Sequence, residues 1–264
     1  MTKDNLIIKK ENKVAIITFN RPDSLNALTR EMLDNLVHIL KKLDMDSDVR
    51  AVVLTGSGRA FCAGGDVKSM ASGRDDGVPL EQRTLDLRNR MEVSRLLYEL
   101  SKPTIAMISG PAAGAGMSIA LACDLRIASE NARLVTAFSN VALSGDFGGS
   151  WFLTKLVGPA KAKELYFLSE PILAPEALSL GLFNRVVSEV DLEEITFLLA
   201  KQITNGPSVA LSYMKKNLNA ANSQSLNLSL DLEAIHHASS SMTKDHQEAT
   251  KSFVSKTKPK FIGK

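Results

Sequence analysis

Apolar positions along this chain keep two rhythms. Short, nearly unbroken apolar runs occur at Leu6–Ile8, Val14–Phe19, Ala51–Thr55 and Thr104–Ile108. Each is bounded by polar or glycine-containing turns, the pattern of a strand buried in a sheet. Between them the spacing widens to three and four. Met32, Leu33, Leu36, Ile39, Leu40 and Leu43 fall on one helical face, with Thr29 placed to cap the helix. Helices are also predicted over Leu80–Leu100, where Met91, Leu96, Leu97 and Leu100 face the core, and over Met117–Cys123 and Phe147–Val157. Leu125–Ala128 and Leu134–Phe138 read as short strands, and Ser69–Pro79 as a mobile surface loop. After about residue 188 the strand rhythm stops. Helices are predicted at 191–204, 207–220, 227–240 and 243–254, the first opening on Asp191-Leu-Glu-Glu194 as a capping box. The expected fold is α/β: a repeated ββα core over residues 1–190, then an all-helical region over 191–264.

Two of the predicted strands run into glycine-rich turns that open helices. They are Thr55-Gly-Ser-Gly-Arg-Ala-Phe-Cys-Ala-Gly-Gly-Asp66 and Ser109-Gly-Pro-Ala-Ala-Gly-Ala-Gly116. A helix start leaves backbone N–H groups unpaired and carries the positive end of the helix dipole. If the fold joins the two turns, two N–H donors can converge on one oxygen, an arrangement suited to a carbonyl that becomes negatively charged.

Rival readings of the turns fail on their residues. Neither turn has the Gly-x-x-x-x-Gly-Lys-Ser/Thr spacing that a phosphate loop requires. Gly114-Ala-Gly116-Met-Ser-Ile119 misses the third glycine of a dinucleotide fingerprint, and no acid follows at the distance a ribose needs. Gly116-Met-Ser-Ile-Ala120 is not a nucleophile elbow.

Composition narrows the classes. In 264 residues, 44% are hydrophobic and 23% charged, and the net charge is +3 with no Lys/Arg run beyond two. That balance gives no footprint for nucleic acid. Cys62 and Cys123 have no CxxC partner and read as buried thiols of a reducing compartment. The N-terminal residues do not read as a signal peptide, so no leader and a cytoplasmic location are expected. Pro103–Cys123 carries no charge and is long enough to span a bilayer, but Gly110, Pro111, Gly114 and Gly116 interrupt it. A broken backbone would strand N–H groups in lipid, so a buried strand, turn and helix are expected and no membrane span. No set of metal ligands is apparent; His236, His237 and His246 read as solvent-facing helix positions.

Two acids lie beside the turns. Asp66 is placed to cap the helix beginning at Val67. Asp146 precedes Phe147-Gly-Gly-Ser150 and has two readings. It caps the following helix, or it is a lone acid/base in an apolar pocket with Phe138, Phe147 and Trp151 nearby, where burial raises its pKa.

Gly58-Arg-Ala-Phe-Cys-Ala-Gly-Gly-Asp-Val67, Lys102-Pro-Thr-Ile-Ala-Met-Ile-Ser-Gly110 and Cys123-Asp-Leu-Arg-Ile-Ala128 resemble the crotonase (enoyl-CoA hydratase/isomerase) superfamily. Asn20-Arg-Pro-Asp-Ser-Leu-Asn-Ala-Leu28 is similar to that family's first motif, and Phe253 with Lys258-Pro-Lys-Phe-Ile-Gly-Lys264 to its C-terminal signature. The resemblance implies a crotonase-like fold and an acyl-CoA thioester as substrate, with CoA part of the substrate and no separate cofactor. It implies that Gly65 and Ala115 donate the oxyanion-hole N–H groups. It places the adenine end of CoA near Leu25, Ala27, Ala63 and Asp66, with Val67 adjoining and Lys258 near the phosphates. Ser118, Phe138 and Trp151 complete the implied substrate-binding set. It implies a homotrimer or a dimer of trimers. The family's two catalytic glutamate positions fall here on Ser118 and Phe138, so a standard hydratase mechanism lacks both acids.

Ala112-Ala-Gly-Ala-Gly116, Asp146-Phe-Gly-Gly-Ser-Trp151 and Leu230-Asp-Leu-Glu233 look most like the ring-epoxide phenylacetyl-CoA isomerase branch. That branch uses an aspartate at the place of Asp146 to move a double bond. A 4-chlorobenzoyl-CoA dehalogenase shares the aspartate but adds a tryptophan at the place of Phe138 and a histidine that this chain lacks between His38 and His236. The expected activity is an enoyl-CoA isomerisation with Asp146 as the single acid/base. Alternatives are a hydratase using Asp146 alone or with a water held by Ser118, and a catalytically silent acyl-CoA binding protein.

Overall fold

The computed structural model describes residues 5–73 and 76–264. Strands β1 (Leu6–Glu11) and β2 (Val14–Phe19) form an antiparallel hairpin, and helix α1 (Arg30–Met45) follows. Thr29 caps α1, its hydroxyl accepting from Met32 N at 3.2 Å. Strand β3 (Ala51–Gly56) leads through the first glycine turn into the short helix α2 (Val67–Ala71). Helices α3 (Leu80–Arg90) and α4 (Glu92–Glu99) meet at Met91, where one unbroken helix was expected. Strands β4 (Thr104–Ile108) and β5 (Pro111–Ala113) flank the second turn, and α5 (Ala115–Ala122) opens from it.

Strands β6 (Leu125–Ser129) and β7 (Arg133–Val135) precede α6 (Gly149–Leu168). Strand β8 (Ile172–Leu173), α7 (Ala174–Ser179) and β9 (Arg185–Val187) close the core; none of these three was expected from the sequence. Four helices follow: α8 (Leu192–Thr204), α9 (Ser208–Ala221), α10 (Leu226–Ser241) and α11 (Lys244–Ser255).

The main sheet has the order β1-β2-β3-β4-β6-β9 and is parallel after the opening hairpin; β5, β7 and β8 make a small second sheet. Helices α1, α4 and α5 cover one face of the main sheet with the larger core, which contains Leu97 and Leu100 and has Met91 and Leu96 packed against it. Helix α8 covers the other face through Leu192 and Ala200, with Ile195 and Leu199 alongside. That helix thus belongs to the layer that buries the sheet. Asp191 does not cap it; its carboxylate instead accepts from Ser188 Oγ at 2.5 Å. The uncharged stretch 103–123 is β4, β5 and α5, and among the described residues no helix is long and apolar enough to cross a membrane.

Helix α6 is broken. Gly158 has φ 79° and ψ 164°, Pro159 follows, and the chain reverses between two helical segments. A straight helix would separate Gly149 from Tyr166 by about 25 Å. Here a Cβ placed on Gly149 would lie 2.6 Å from the Tyr166 hydroxyl.

Arg74 and Asp75, from the loop expected at Ser69–Pro79, lie outside the described residues; residues up to Ala71 belong to α2. The solvent-facing reading of His236 is corrected. Its ring stacks on Tyr213 with centroids 4.4 Å apart and bonds to Asn217, filling the seam between α9 and α10.

Candidate active site

The two glycine turns are in contact. Ala113 N donates to Cys62 O at 2.9 Å, and Cys62 N donates to Pro111 O at 3.2 Å. Two glycines make this approach possible. Gly64 takes φ +89°, and a Cβ there would lie 2.7 Å from Ala113 O. A Cβ on Gly116 would overlap the carbonyl of Cys62. Larger residues at either place would push the turns apart.

The juxtaposition brings Gly65 N and Ala115 N to one cavity, and neither N–H has a hydrogen-bond acceptor among the described residues. Ala115 opens α5, so its N–H also carries the positive end of that helix. The first turn is fixed from behind. Leu28 N donates to Gly64 O at 2.7 Å and Ala63 N to Leu25 O at 2.9 Å. Arg21 holds Ala27 O at 2.6 Å and Asp66 at 3.0 Å. Asp66 caps α2, accepting from Ser69 N at 3.2 Å, so its carboxylate is engaged structurally.

The cavity has a volume of about 450 Å³. Its apolar wall comes from Leu28, Leu33, Met70, Leu87, Leu143 and Phe147. Helix α3 forms one side, which its weakly apolar sequence did not announce; Leu87 was missed for that reason.

Asp146 lines the same cavity. It is not a cap: the residue that opens α6 is Gly148, and no side chain caps that helix. Asp146 Oδ1 is sealed from solvent with no hydrogen-bond partner. Burial pushes its carboxyl from 3.8 up to about 6, because an unpaired charge in a dry site is poorly stabilised. The turn that presents it is strained. Phe147, buried and bulky, adopts φ 49° between Gly145 at φ 112° and Gly148 at φ 74°. A left-handed conformation at such a residue costs about 1–2 kcal/mol and persists where surrounding packing imposes it. The other acids on the cavity are engaged: Asp66 as above, and Asp86 by Gln82 Nε2 at 2.7 Å.

The remaining sequence-derived positions scatter. Ser118 is buried behind the second turn, its hydroxyl donating to Gly114 O at 3.2 Å. Phe138 is buried and stacks on Tyr166 with centroids 5.7 Å apart; its ring would lie 3.7 Å from a Cβ on Gly114. Leu25, Ala27 and Ala63 sit on the stitched outer side of the first turn, while Val67 is exposed at the start of α2. Trp151 is not brought to this cavity. It is 42% exposed, packs edge-on against Tyr98 and Phe152, and lines a separate hollow with Lys155 and Leu218. Lys258 belongs to a tail that docks elsewhere, where Asp245 accepts from Ile262 N at 2.7 Å and Gly263 N at 2.9 Å. Both cysteines are buried, which pushes each thiol up to about 12.

An α/β fold whose two helix-opening turns aim free N–H groups at an apolar cavity suits an enzyme acting on a carbonyl compound. The enoyl-CoA hydratase/isomerase profile matches residues 9–264, and this chain belongs to that family. It is 36% identical to the short-chain-enoyl-CoA hydratase of Clostridium acetobutylicum, over 98% of this chain and 97% of that protein. It is 34% identical to the 1,2-epoxyphenylacetyl-CoA isomerase of Escherichia coli, over 96% of this chain and 97% of that one. The crystal structure of an enoyl-CoA hydratase from Bacillus anthracis superposes with a TM-score of 0.92 at 31% identity, covering 99% of this chain and 100% of that one. The fold is the crotonase fold.

Proposed function

We propose that this enzyme moves a carbon–carbon double bond within an enoyl-CoA thioester, using Asp146 as its single acid/base. In this reading the thioester oxygen accepts from Gly65 N–H and Ala115 N–H. Both donors are more favourable to an enolate than to a neutral carbonyl, so they acidify the adjacent carbon. Asp146 takes a proton from one carbon and returns it to another, and the atoms balance with no water consumed. CoA enters as part of the substrate, its adenine end along Leu25, Ala27, Ala63 and Asp66. No separate cofactor is invoked.

The observation that carries the reading is the state of Asp146. Among the acids lining the cavity, it alone has a sealed oxygen without a partner and a carboxyl raised to about 6. A proton shuttle works best when its pKa is near the working pH. Hydration asks for more: activation of water on one carbon and protonation of its neighbour. The two positions at which the family's hydratases carry glutamate are Ser118 and Phe138 here, and neither can titrate near neutral pH. A hydratase using Asp146 with a water beside Ser118 is the second reading, favoured by the hydratase names among its relatives.

Products from a panel of 2-enoyl-, 3-enoyl- and aromatic acyl-CoAs test the proposal. Isomerisation leaves the mass unchanged and moves the vinyl NMR signals. A product one water heavier, with no positional isomer, overturns it.

A further inference from the structure

The turn that presents Asp146 to the cavity is backed by oxygen atoms that the proposed reaction does not use. Tyr166 OH and Asp146 Oδ1 are both sealed from solvent, and neither has a hydrogen-bond partner. They belong to elements joined at one turn. The Tyr166 hydroxyl would lie 3.4 Å from a Cβ on Gly145 and 2.6 Å from one on Gly149, and these glycines bracket Asp146. The Ser118 hydroxyl reaches the same point, overlapping the space of a Cβ on Gly149. Its proton is committed to Gly114 O, which leaves its lone pairs free to accept. Gly149 thus keeps open a small polar space shared by the hydroxyls of Ser118 on α5 and Tyr166 on α6, and the Asp146 carboxylate is near enough to act on the Tyr166 phenol.

We propose that Tyr166 is a positioning residue for Asp146, its hydroxyl acting with that of Ser118 to hold one water molecule against Oδ1. The water accepts from Tyr166 and donates to Ser118 Oγ and to the carboxylate, which satisfies all three atoms. With Oδ1 held, the other carboxylate oxygen faces the cavity. A donor to the ionised carboxylate also favours that form, countering part of the burial that pushes it up. The break at Gly158 is what returns Tyr166 to this turn, and stacking on Phe138 fixes its ring. Other ionisable groups around the site are Cys62 behind the first turn, Arg30 on α1, Asp66 before α2, and Arg83, Asp86 and Arg90 on α3. All stay in place when Tyr166 becomes phenylalanine.

The inference builds on Asp146 as the acid/base, but its direct test needs no turnover. The carboxyl titration of Asp146 is followed by carbon-13 NMR in wild type, Tyr166→Phe and Ser118→Ala, with Asp146→Asn assigning the signal. Loss of the Tyr166 donor should raise the Asp146 pKa by about one unit, and loss of the Ser118 hydroxyl should move it in the same direction. Phenylalanine keeps the ring stack, and circular dichroism checks each fold. In the rate profile of Tyr166→Phe, the acidic limb should move up by the same amount, with kcat reduced about fivefold near pH 6 and little changed above pH 8. An unchanged Asp146 titration in folded Tyr166→Phe overturns the inference and leaves the proposed reaction standing. A uniform loss of rate at every pH, with no shift of the limb, also overturns it.

Discussion

Asp146 combines two properties that compete in a folded protein. It is poised for proton transfer because it is poorly stabilised as an anion. The folded state binds its proton more tightly than the unfolded chain does. Below pH 3.8 both states carry the proton and the group has no effect on stability. As pH rises through the window from 3.8 to about 6, the unfolded chain releases it first and the fold loses stability. Above the window the cost is constant, of the order of 3 kcal/mol. Asp146→Asn removes the buried charge without removing a cap. Its melting temperature should therefore exceed that of wild type at pH 8, and the two should converge at pH 4. Thermal denaturation across that range checks this; a variant less stable than wild type at pH 8 would show that the carboxylate is stabilised in the fold. That Asp146 lies beside an apolar pocket was expected from Phe138, Phe147 and Trp151 around it; of these Phe147 lines the cavity with it, whereas Trp151 lines a separate hollow. The strained presentation of Asp146 was not legible. Ala137 and Phe147 take left-handed conformations that their side chains do not advertise, and the strand expected at Leu134–Phe138 ends at Val135 just before the first of them.

At the scale of elements, the meeting of two helix-opening turns with free N–H groups was readable because glycine spacing and strand-to-helix transitions are local; Gly65 and Ala115 themselves came from the family resemblance. Gly116 is required by the carbonyl of Cys62, and Gly64 by its positive φ. The donor on α5 is separable from the helix itself. Proline is tolerated at the first helical position, where its missing N–H would be unpaired in any case. Ala115→Pro should keep the helix while deleting one donor, and turnover should fall about a hundred- to a thousand-fold with the unfolding midpoint changed little. Steady-state kinetics beside urea denaturation separates these effects; retention of full turnover would exclude Ala115 as a donor. The break in α6 was half legible. The periodicity predicts a helix ending at Val157, one residue before Gly158, but no local signal says that the next segment returns to Gly149. Tyr166 was invisible for that reason, as was the α3 wall of the cavity, whose leucines face a space that exists only in the tertiary structure.

At the scale of the whole molecule, the α/β core and the four C-terminal helices follow from the rhythm of apolar positions. The role of α8 does not. The apolar spacing of Leu192, Ile195, Leu198 and Leu199 predicts a stripe buried against a neighbouring subunit, yet Leu192, Ile195 and Leu199 pack on the second face of the chain's own sheet and Leu198 alone of the four stays more than half exposed. The apolar surface left uncovered lies further on, at Leu226, Leu230, Ile235, Phe253 and Val254, each more than half exposed. We expect a trimer or a dimer of trimers that buries these helices. Sedimentation at micromolar concentration should show no monomer; a monomeric species would leave the C-terminal face without its expected role. The central claim is that one carboxylate between two backbone donors shifts a double bond. Turnover of a 3-enoyl-CoA to its 2-enoyl isomer by wild type and Asp146→Asn tests it most directly. The account predicts that the variant binds substrate with near-normal affinity and isomerises it at least about a hundred-fold more slowly. Isomerisation by Asp146→Asn at the wild-type rate would contradict it.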